Sequence, residues 1–527
     1  MVLGLAAVLV AGVVTLPTFS APAPVPRRGG ELPFVVAAEP PSFDGHRENT
    51  YAMIHVTAPH YSTLLKFDPF NYPKVVGDLA ESWDISRDGL TYSFKLRAGV
   101  KWHDGSPLTS KDVKATYDKI IFPPAGVVSL RKAAYAAVDR VETPDERTVV
   151  FRLKHSSGSL VANLASPWNF VYKADILARD PRWFEKNIMG SGPFKFVEYV
   201  RGSHWIGKRN EDYYIRGQPY LDSFRAIFIR EPAAQVAAVR GGRALIEFRS
   251  FSPEARDTLV KELGDRIRVQ EKPWVCVLTL SFNNERRPFS DVKFRKALNI
   301  AFDRWTASRV LSRITFIKGV GGLTRPGSEW AQPDDRLKRM GGFGTDMDVA
   351  RRDARRLLRE AGVPEGFKFV LKNRDTRMPY EPLGVYLIDQ WRRVGLNVEH
   401  QAQETGPYFN DFRVGNYDAG IDFNCDFMDD PDLQLIKFVS SDKSPINYGR
   451  YRDSTLDELY ERQSRTVNFA QRRDIVWQFE KRVIDEMAYQ LPTLWWHRII
   501  PHHSRVKGWE ITPSHYVNQD LSTVWLE

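Results

Sequence analysis

Cysteine is scarce: two residues in 527 cannot build a disulfide-dense scaffold or a paired-cysteine zinc motif. Histidines are scattered. His46, His55, His60 and His103 lie early and His502-His503 late, with no HExxH-type spacing to set two ligands on one helix face. Neither a G-x-S-x-G elbow nor a Walker lysine loop occurs, which leaves no residues for a hydrolase or for a nucleotide cradle. Ser191, between Gly190 and Gly192, reads as part of a turn. Asp422-x-Asn424-x-Asp426 opens like a calcium loop, but Phe427 stands where glycine is required and Leu433 where the closing acid belongs. The net charge of +10 has no focus. Its densest run, Arg351, Arg352, Arg355, Arg356 and Arg359, alternates with Ala350, Ala354, Leu357, Leu358 and Ala361 at helical spacing, giving a buried stripe and a solvated basic face rather than a phosphate-binding patch. No nucleic acid, no cofactor and no enzymatic turnover are expected.

No charge occurs from Val2 to Leu16, a run short of the roughly 20 residues a membrane-spanning helix needs. It reads as the apolar region of a secretory signal peptide over residues 1–20, with Thr18-Phe19-Ser20 as the cleavage site. The first basic residue, Arg27, follows the run instead of preceding it, and no cysteine near residue 20 offers a lipid attachment. Residues 21–30 are Pro-rich and read as a flexible leader, and a periplasmic destination follows.

The remaining length is too great for one core and requires two or three lobes. A first strand is expected over Leu32–Ala38. Turn-linked strand pairs then appear at Val141–Asp145 with Thr148–Leu153, and at Phe194–Tyr199 with the run from Trp205. After Val275 the rhythm changes to strand-helix alternation: strand Val275–Phe282, helix Val292–Phe302, helix Asp348–Ala361 closed by Gly362, strand Phe367–Leu371, helix Leu383–Val394 and strand Asn397–Gln401. That rhythm implies a parallel component. Two helices over Leu456–Met487 and strands at Thr493–Trp496 and Ile499-Ile500 complete the mixed α/β (α+β) reading.

The densest signal is LAESWDISRDGLTYSFKLRAGVKWHDGSPLTSKDVK, Leu79 to Lys114. Trp83 and Ile85, then Tyr92, Phe94 and Leu96, alternate with polar residues about Arg87-Asp88-Gly89, and Thr109 or Ser110 caps a helix from Asp112. This run resembles the motif of the family-5 solute-binding proteins, the peptide, dipeptide and nickel receptors of bacterial ABC importers. Pro40-Pro41-Ser42-Phe43-Asp44, Tyr61-Ser62-Thr63-Leu64-Leu65, Ser191-Gly192-Pro193-Phe194, Arg209-Asn210 with Tyr213-Tyr214, and Tyr220-Leu221-Asp222 extend the likeness. Phe282-Asn283-Asn284, Val292 to Leu298 leading to Asp303-Arg304, and Asp430-Pro431 carry it through the second half.

The resemblance implies a two-lobed periplasmic-binding-protein fold with an extra domain in the N-terminal half. Lobe I would comprise 31–58, 173–274 and 492–527, the extra domain 59–172 and lobe II 275–491, with hinge crossings near Val275 and Leu491. Its partners would be a peptide-like or amine-bearing solute and the permease and ATPase subunits of an importer, and the receptor itself a monomer. Nickel and haem receptors belong to the same family, which makes a metal-chelate ligand the alternative. Some oligopeptide receptors also link the strands matching Cys276 and Cys425 by a disulfide, and two cysteines in an exported chain suit that pairing.

Along Ile421–Phe427, side-chain alternation sets Asp422, Asn424 and Asp426 on one face and Ile421, Phe423, Cys425 and Phe427 on the other. If the polar face lines the cleft, it suits a cation or amine; if the apolar face does, Phe427 is the contact. Peptide receptors of the family place an Asp at the position of Phe427, a Trp at that of Asn424 and an Arg at that of Ile421, so a short zwitterionic peptide is not the expected ligand. Trp495 and Trp496 follow Leu491-Pro492, where the family sets cleft aromatics, and adjacent strand residues point opposite ways, so one of the two is expected in the core.

Overall fold

The computed structural model describes residues 25–375, 378–426 and 428–527. The expected signal peptide and cleavage site, and Phe427, lie outside the described residues.

The motif folds as its turn chemistry dictates. Strands Ala80–Ile85 and Thr91–Leu96 pair antiparallel about Gly89, whose φ of +69° suits glycine, and Asp88 accepts from Ser86 Oγ (2.5 Å) and from the Leu90 N–H (3.0 Å). The following helix spans Ser110–Ile121, two residues earlier than the expected Asp112, because Thr109 and Asp112 form a reciprocal capping box. Val113, Tyr117 and Ile120 lie on its buried side and pack on Tyr92, Phe94 and Phe151 of a four-stranded sheet. The hairpin Val138–Asp145 with Thr148–Leu153 completes that sheet.

The first lobe carries a five-stranded sheet in the order Ile246–Glu247, Glu31–Val36, Ser223–Phe228, His204–Arg209, Phe194–Val200. Its strand Glu31–Val36 pairs in parallel on both edges, and Leu32, Phe34, Val35 and Val36 are fully buried, as a strand covered on both faces requires.

The second lobe is built on six strands, ordered Ile317–Gly319, Gln490–His503, Ile267–Phe282, Ala419–Cys425, Lys368–Arg374, Asn397–Gln403. Lys368–Arg374 runs parallel to both Asn397–Gln403 and Ala419–Cys425, and helix Tyr380–Arg392 makes the crossover. Helix Met347–Glu360 buries Ala354 and Leu358 and leaves Arg352, Arg355, Arg356 and Arg359 exposed.

Two strands are much longer than their sequence signals. Thr493–Trp496 and Ile499-Ile500 belong to one strand, Gln490–His503, and the strand expected from Val275 begins at Ile267. They pair antiparallel from Ile267↔His503 to Ser281↔Gln490, with slips in register between Pro273 and Val277 and again before Thr279. Pro273 has no N–H to give the ladder, which accounts for an interruption there. On one side of the slip the pair joins the first lobe, through His503 N–H to Leu245 O (2.8 Å) and Phe251 N–H to Ile499 O (2.8 Å); on the other it is the centre of the second sheet.

Cys276 and Cys425 stand directly opposite each other in the antiparallel pair Ile267–Phe282 with Ala419–Cys425 and are joined as a disulfide. The bond closes 149 residues of chain, so replacing either cysteine by serine should lower the unfolding free energy by up to about 5 kcal/mol in the chain-entropy account. Urea titration of Cys425→Ser checks this, and an unchanged midpoint would contradict it.

Candidate functional site

The strand expected to hold the ligand is partly committed elsewhere. Asp422 is 1% exposed and its carboxylate meets Lys437 Nζ at 2.5 Å, in a pair closed over by the Tyr448 ring at 4.7 Å. Asn424 donates its amide to Gln434 O at 2.9 Å. The segment Pro431–Phe438 folds back over the polar face of the strand and supplies both partners, so two of the three groups in the expected cation-binding row are satisfied within the lobe. Asp426 remains only partly buried, and its N–H bonds to Val275 O at 3.0 Å, beside the long-strand crossing.

Both tryptophans of the Trp495-Trp496 pair are buried. Trp495 donates Nε1 to Gly322 O at 3.0 Å. Trp496 packs behind Trp274 (ring centroids 5.3 Å) and Phe316 (4.9 Å). Only one of the two is expected in the core, yet burial takes both.

Around Trp274 an aromatic and arginine cluster joins segments far apart in sequence. Trp274 Nε1 donates to His515 Nδ1 (3.1 Å), His515 lies against Tyr516 (3.8 Å), and Tyr516 meets Trp168 (5.1 Å). Arg131 lies over Trp168 at 4.9 Å and donates Nη2 to Glu48 O at 2.5 Å. Burial brings the Arg131 guanidinium down to about 10, opposed chiefly by the charge of Asp426 in the other lobe. Arg249 lies over Tyr51 at 4.7 Å and within 5.9 Å of Trp274. From the second lobe, Arg374 donates Nη1 to the Tyr380 hydroxyl (3.0 Å) and faces Phe409 (5.6 Å) and Phe423 (5.9 Å). Burial raises the Tyr380 hydroxyl to about 12, while Arg374 and, more weakly, Arg249 draw it down. Tyr51, Arg249, Arg374, Phe423, Asp426 and Tyr516 each keep part of their surface open.

Beside this cluster, residues just past strand Thr148–Leu153 bond directly to the second lobe. Gly158 N–H donates to Ser464 O (2.8 Å), Ser156 Oγ to Arg465 O (2.9 Å) and Ser159 Oγ to Asp432. The Tyr72 hydroxyl accepts from Asp429 N–H (3.0 Å), and the Asp429 carboxylate is clasped by Arg325 at 2.6 and 2.8 Å.

Sequence reasoning missed Arg131, Trp168, Arg249, Trp274, Tyr380 and Tyr516. Each sits in a segment whose local pattern is ordinary, and only the fold brings the six together. The histidines serve the fold: His46 bonds to Phe170 O and His60 to Phe194 O, and burial holds both well below the usual imidazole range. Among the described residues no three His, Cys, Asp or Glu side chains converge as a metal site. No helix among them is long and apolar enough to cross a membrane.

Comparison with known proteins gives the fold a lineage. The family model for bacterial extracellular solute-binding proteins, family 5 Middle, matches residues 74–445. A Brucella ovis protein provisionally named as an ABC transporter peptide-binding protein is 35% identical over 311 residues, covering 58% of this chain and 55% of that protein. The chain thus spans about half the length of this Brucella relative. The oligopeptide-binding protein AppA of Bacillus subtilis is 26% identical over 459 residues, 82% of this chain and 80% of its own. In fold, the substrate-binding protein CtaP of Listeria monocytogenes superposes with a TM-score of 0.82 at 23% identity, over 95% of this chain and all of its own. The chain belongs to family 5 of the bacterial extracellular solute-binding proteins.

Proposed function

We propose that this protein is the solute receptor of an ABC importer: exported to the periplasm and monomeric, it captures a peptide-like solute between its lobes and delivers it unchanged to a permease driven by separate ATPase subunits. The observation that carries this reading is the cleft cluster, in which Tyr51, Trp168, Arg249 and Tyr516 of one side face Tyr380, Arg374 and Asp426 of the other across the long-strand crossing at Trp274. Aromatic faces accept side chains of varied shape, and a few charged groups fix orientation. The names of the relatives, peptide-binding in Brucella ovis and oligopeptide-binding in Bacillus subtilis, support the class of solute. Of the three polar residues along Asp422–Asp426, Asp426 is the candidate for an amine of the ligand.

Capture would work by population shift: a solute that touches both lobes stabilises the arrangement in which they meet. The contacts of Ser156, Gly158 and Ser159 with Asp432, Ser464 and Arg465 are then the latch of that arrangement.

A bound solute should therefore compact the protein. Small-angle scattering with and without a saturating mixture of free-acid oligopeptides measures this, and Asp432→Ala should expand the unliganded form by removing the acceptor shared by Ser159, Gln463 and Ser464. Identical scattering from all samples would remove hinge closure from the account.

Asp422 should act in the fold and not in binding. Lys437→Met leaves a buried carboxylate unpaired and should cost about 3–5 kcal/mol, whereas Lys437→Met with Asp422→Leu should regain most of it. Chemical denaturation of the two variants decides, and a Lys437→Met protein as stable as the parent would show that the pair does not carry this weight.

A further inference from the structure

Among the described residues Arg249 forms no ion pair with a carboxylate. Its Nε is buried with no acceptor among the described residues, and none of their ion pairs includes its guanidinium, which is held instead by the π faces of Tyr51 and Trp274. The nearest acid in sequence, Glu247, is engaged otherwise: its carboxylate accepts the backbone N–H groups of Arg249 (2.9 Å) and Ser250 (2.8 Å). Burial raises that carboxyl to about 7, against the charges of Arg249 and Arg498 that draw it down, so Glu247 acts on Arg249 electrostatically but forms no ion pair with it.

The backbone of Arg249 is gripped from the opposite direction by Arg498, itself 1% exposed. Arg498 donates Nε to Arg249 O (3.2 Å), Nη1 to Thr512 O (2.5 Å) and Nη2 to Phe248 O. With the loop fixed on both sides and two rings limiting the guanidinium, the ordering cost of binding is largely met before a ligand arrives. Arg249 also keeps part of its surface open and lies within electrostatic reach of Tyr380 in the second lobe and Tyr516 in the tail. A half-buried guanidinium gains most from an acceptor that takes two of its N–H bonds at once.

We propose that Arg249 anchors an oxyanion of the captured solute, a carboxylate or a phosphate-type group, with Tyr51 and Trp274 fixing the plane in which it is met. This rests on the receptor reading above and assigns the charge of one end of the ligand.

The test titrates the parent protein, Arg249→Gln and Arg249→Lys by calorimetry with three probes. These are a mixture of free-acid tri- to pentapeptides, the same mixture C-amidated, and a panel of non-peptide acids comprising citrate, inorganic phosphate and a hexose phosphate. The parent should bind the free acids ten- to a hundredfold more tightly than the amides, a difference that vanishes in Arg249→Gln and is reduced in Arg249→Lys. If only the non-peptide acids bind, and weaken by that factor in Arg249→Gln, the anchor stands and the peptide reading falls. Equal binding of free acids and amides by the parent, a bound acid whose affinity survives Arg249→Gln, or no binding of any acid by the parent overturns the anchor. Melting of the unliganded variants separates misfolding from lost contact, and Arg249→Lys carries the comparison if Arg249→Gln melts early.

Discussion

The antiparallel pairing of Ile267–Phe282 with Gln490–His503 carries the chain from one lobe into the other, and most of the structure is arranged about it. Backbone hydrogen bonds make the two crossings one element instead of two independent linkers. In the proposed capture, bending would concentrate where the ladder is interrupted, between Pro273 and Val277, instead of being spread along a loop. Trp274 lies in this interruption, so the buried ring that anchors the aromatic cluster belongs to that segment. The disulfide from Cys276 to Cys425 lies just beyond it and fixes the strand bearing Asp422, with Asp426 one residue past its end, to the crossing.

Electrostatics divides the work between fold and cleft. Asp422 with Lys437, Asp429 with Arg325, and Asp430 with Arg472 are buried pairs whose charges are answered inside the second lobe. Such pairs are costly to break and offer little to a ligand. Arg249 is different in kind: among the described residues it forms no ion pair, its guanidinium lies against the rings of Tyr51 and Trp274, and Glu247 acts on it without an ion-pair contact. If Arg249 meets a solute as proposed, the paired charges serve the scaffold and this one serves discrimination among solutes.

Much of the fold was legible because its signals are local. The turn at Asp88-Gly89, the cap at Thr109 and the helix ended by Gly362 depend on residues within a few positions of one another, and each element lies close to where those residues put it. The lengths of the two crossing strands were not legible. Arg268 to Pro273 has no apolar alternation, and it is a strand because a partner more than two hundred residues away supplies its hydrogen bonds. The candidate site failed in the same physical way. Alternation correctly set Asp422 apart from Ile421, but nothing in the strand announces that Lys437, fifteen residues on, returns to neutralise it. Arg249, Trp274 and Tyr516 come from three segments that share no motif, so their meeting is a property of the fold alone.

Hydrogen exchange with and without saturating solute tests the two-lobed capture account most directly. The account predicts that protection rises together in backbone of both lobes, around Tyr51, Arg249 and Tyr516 on one side and around Tyr380 and Asp426 to Asp432 on the other, with the Pro273 to Val277 crossing also changing. Protection confined to one lobe, with the other and the crossing unaffected, would contradict it.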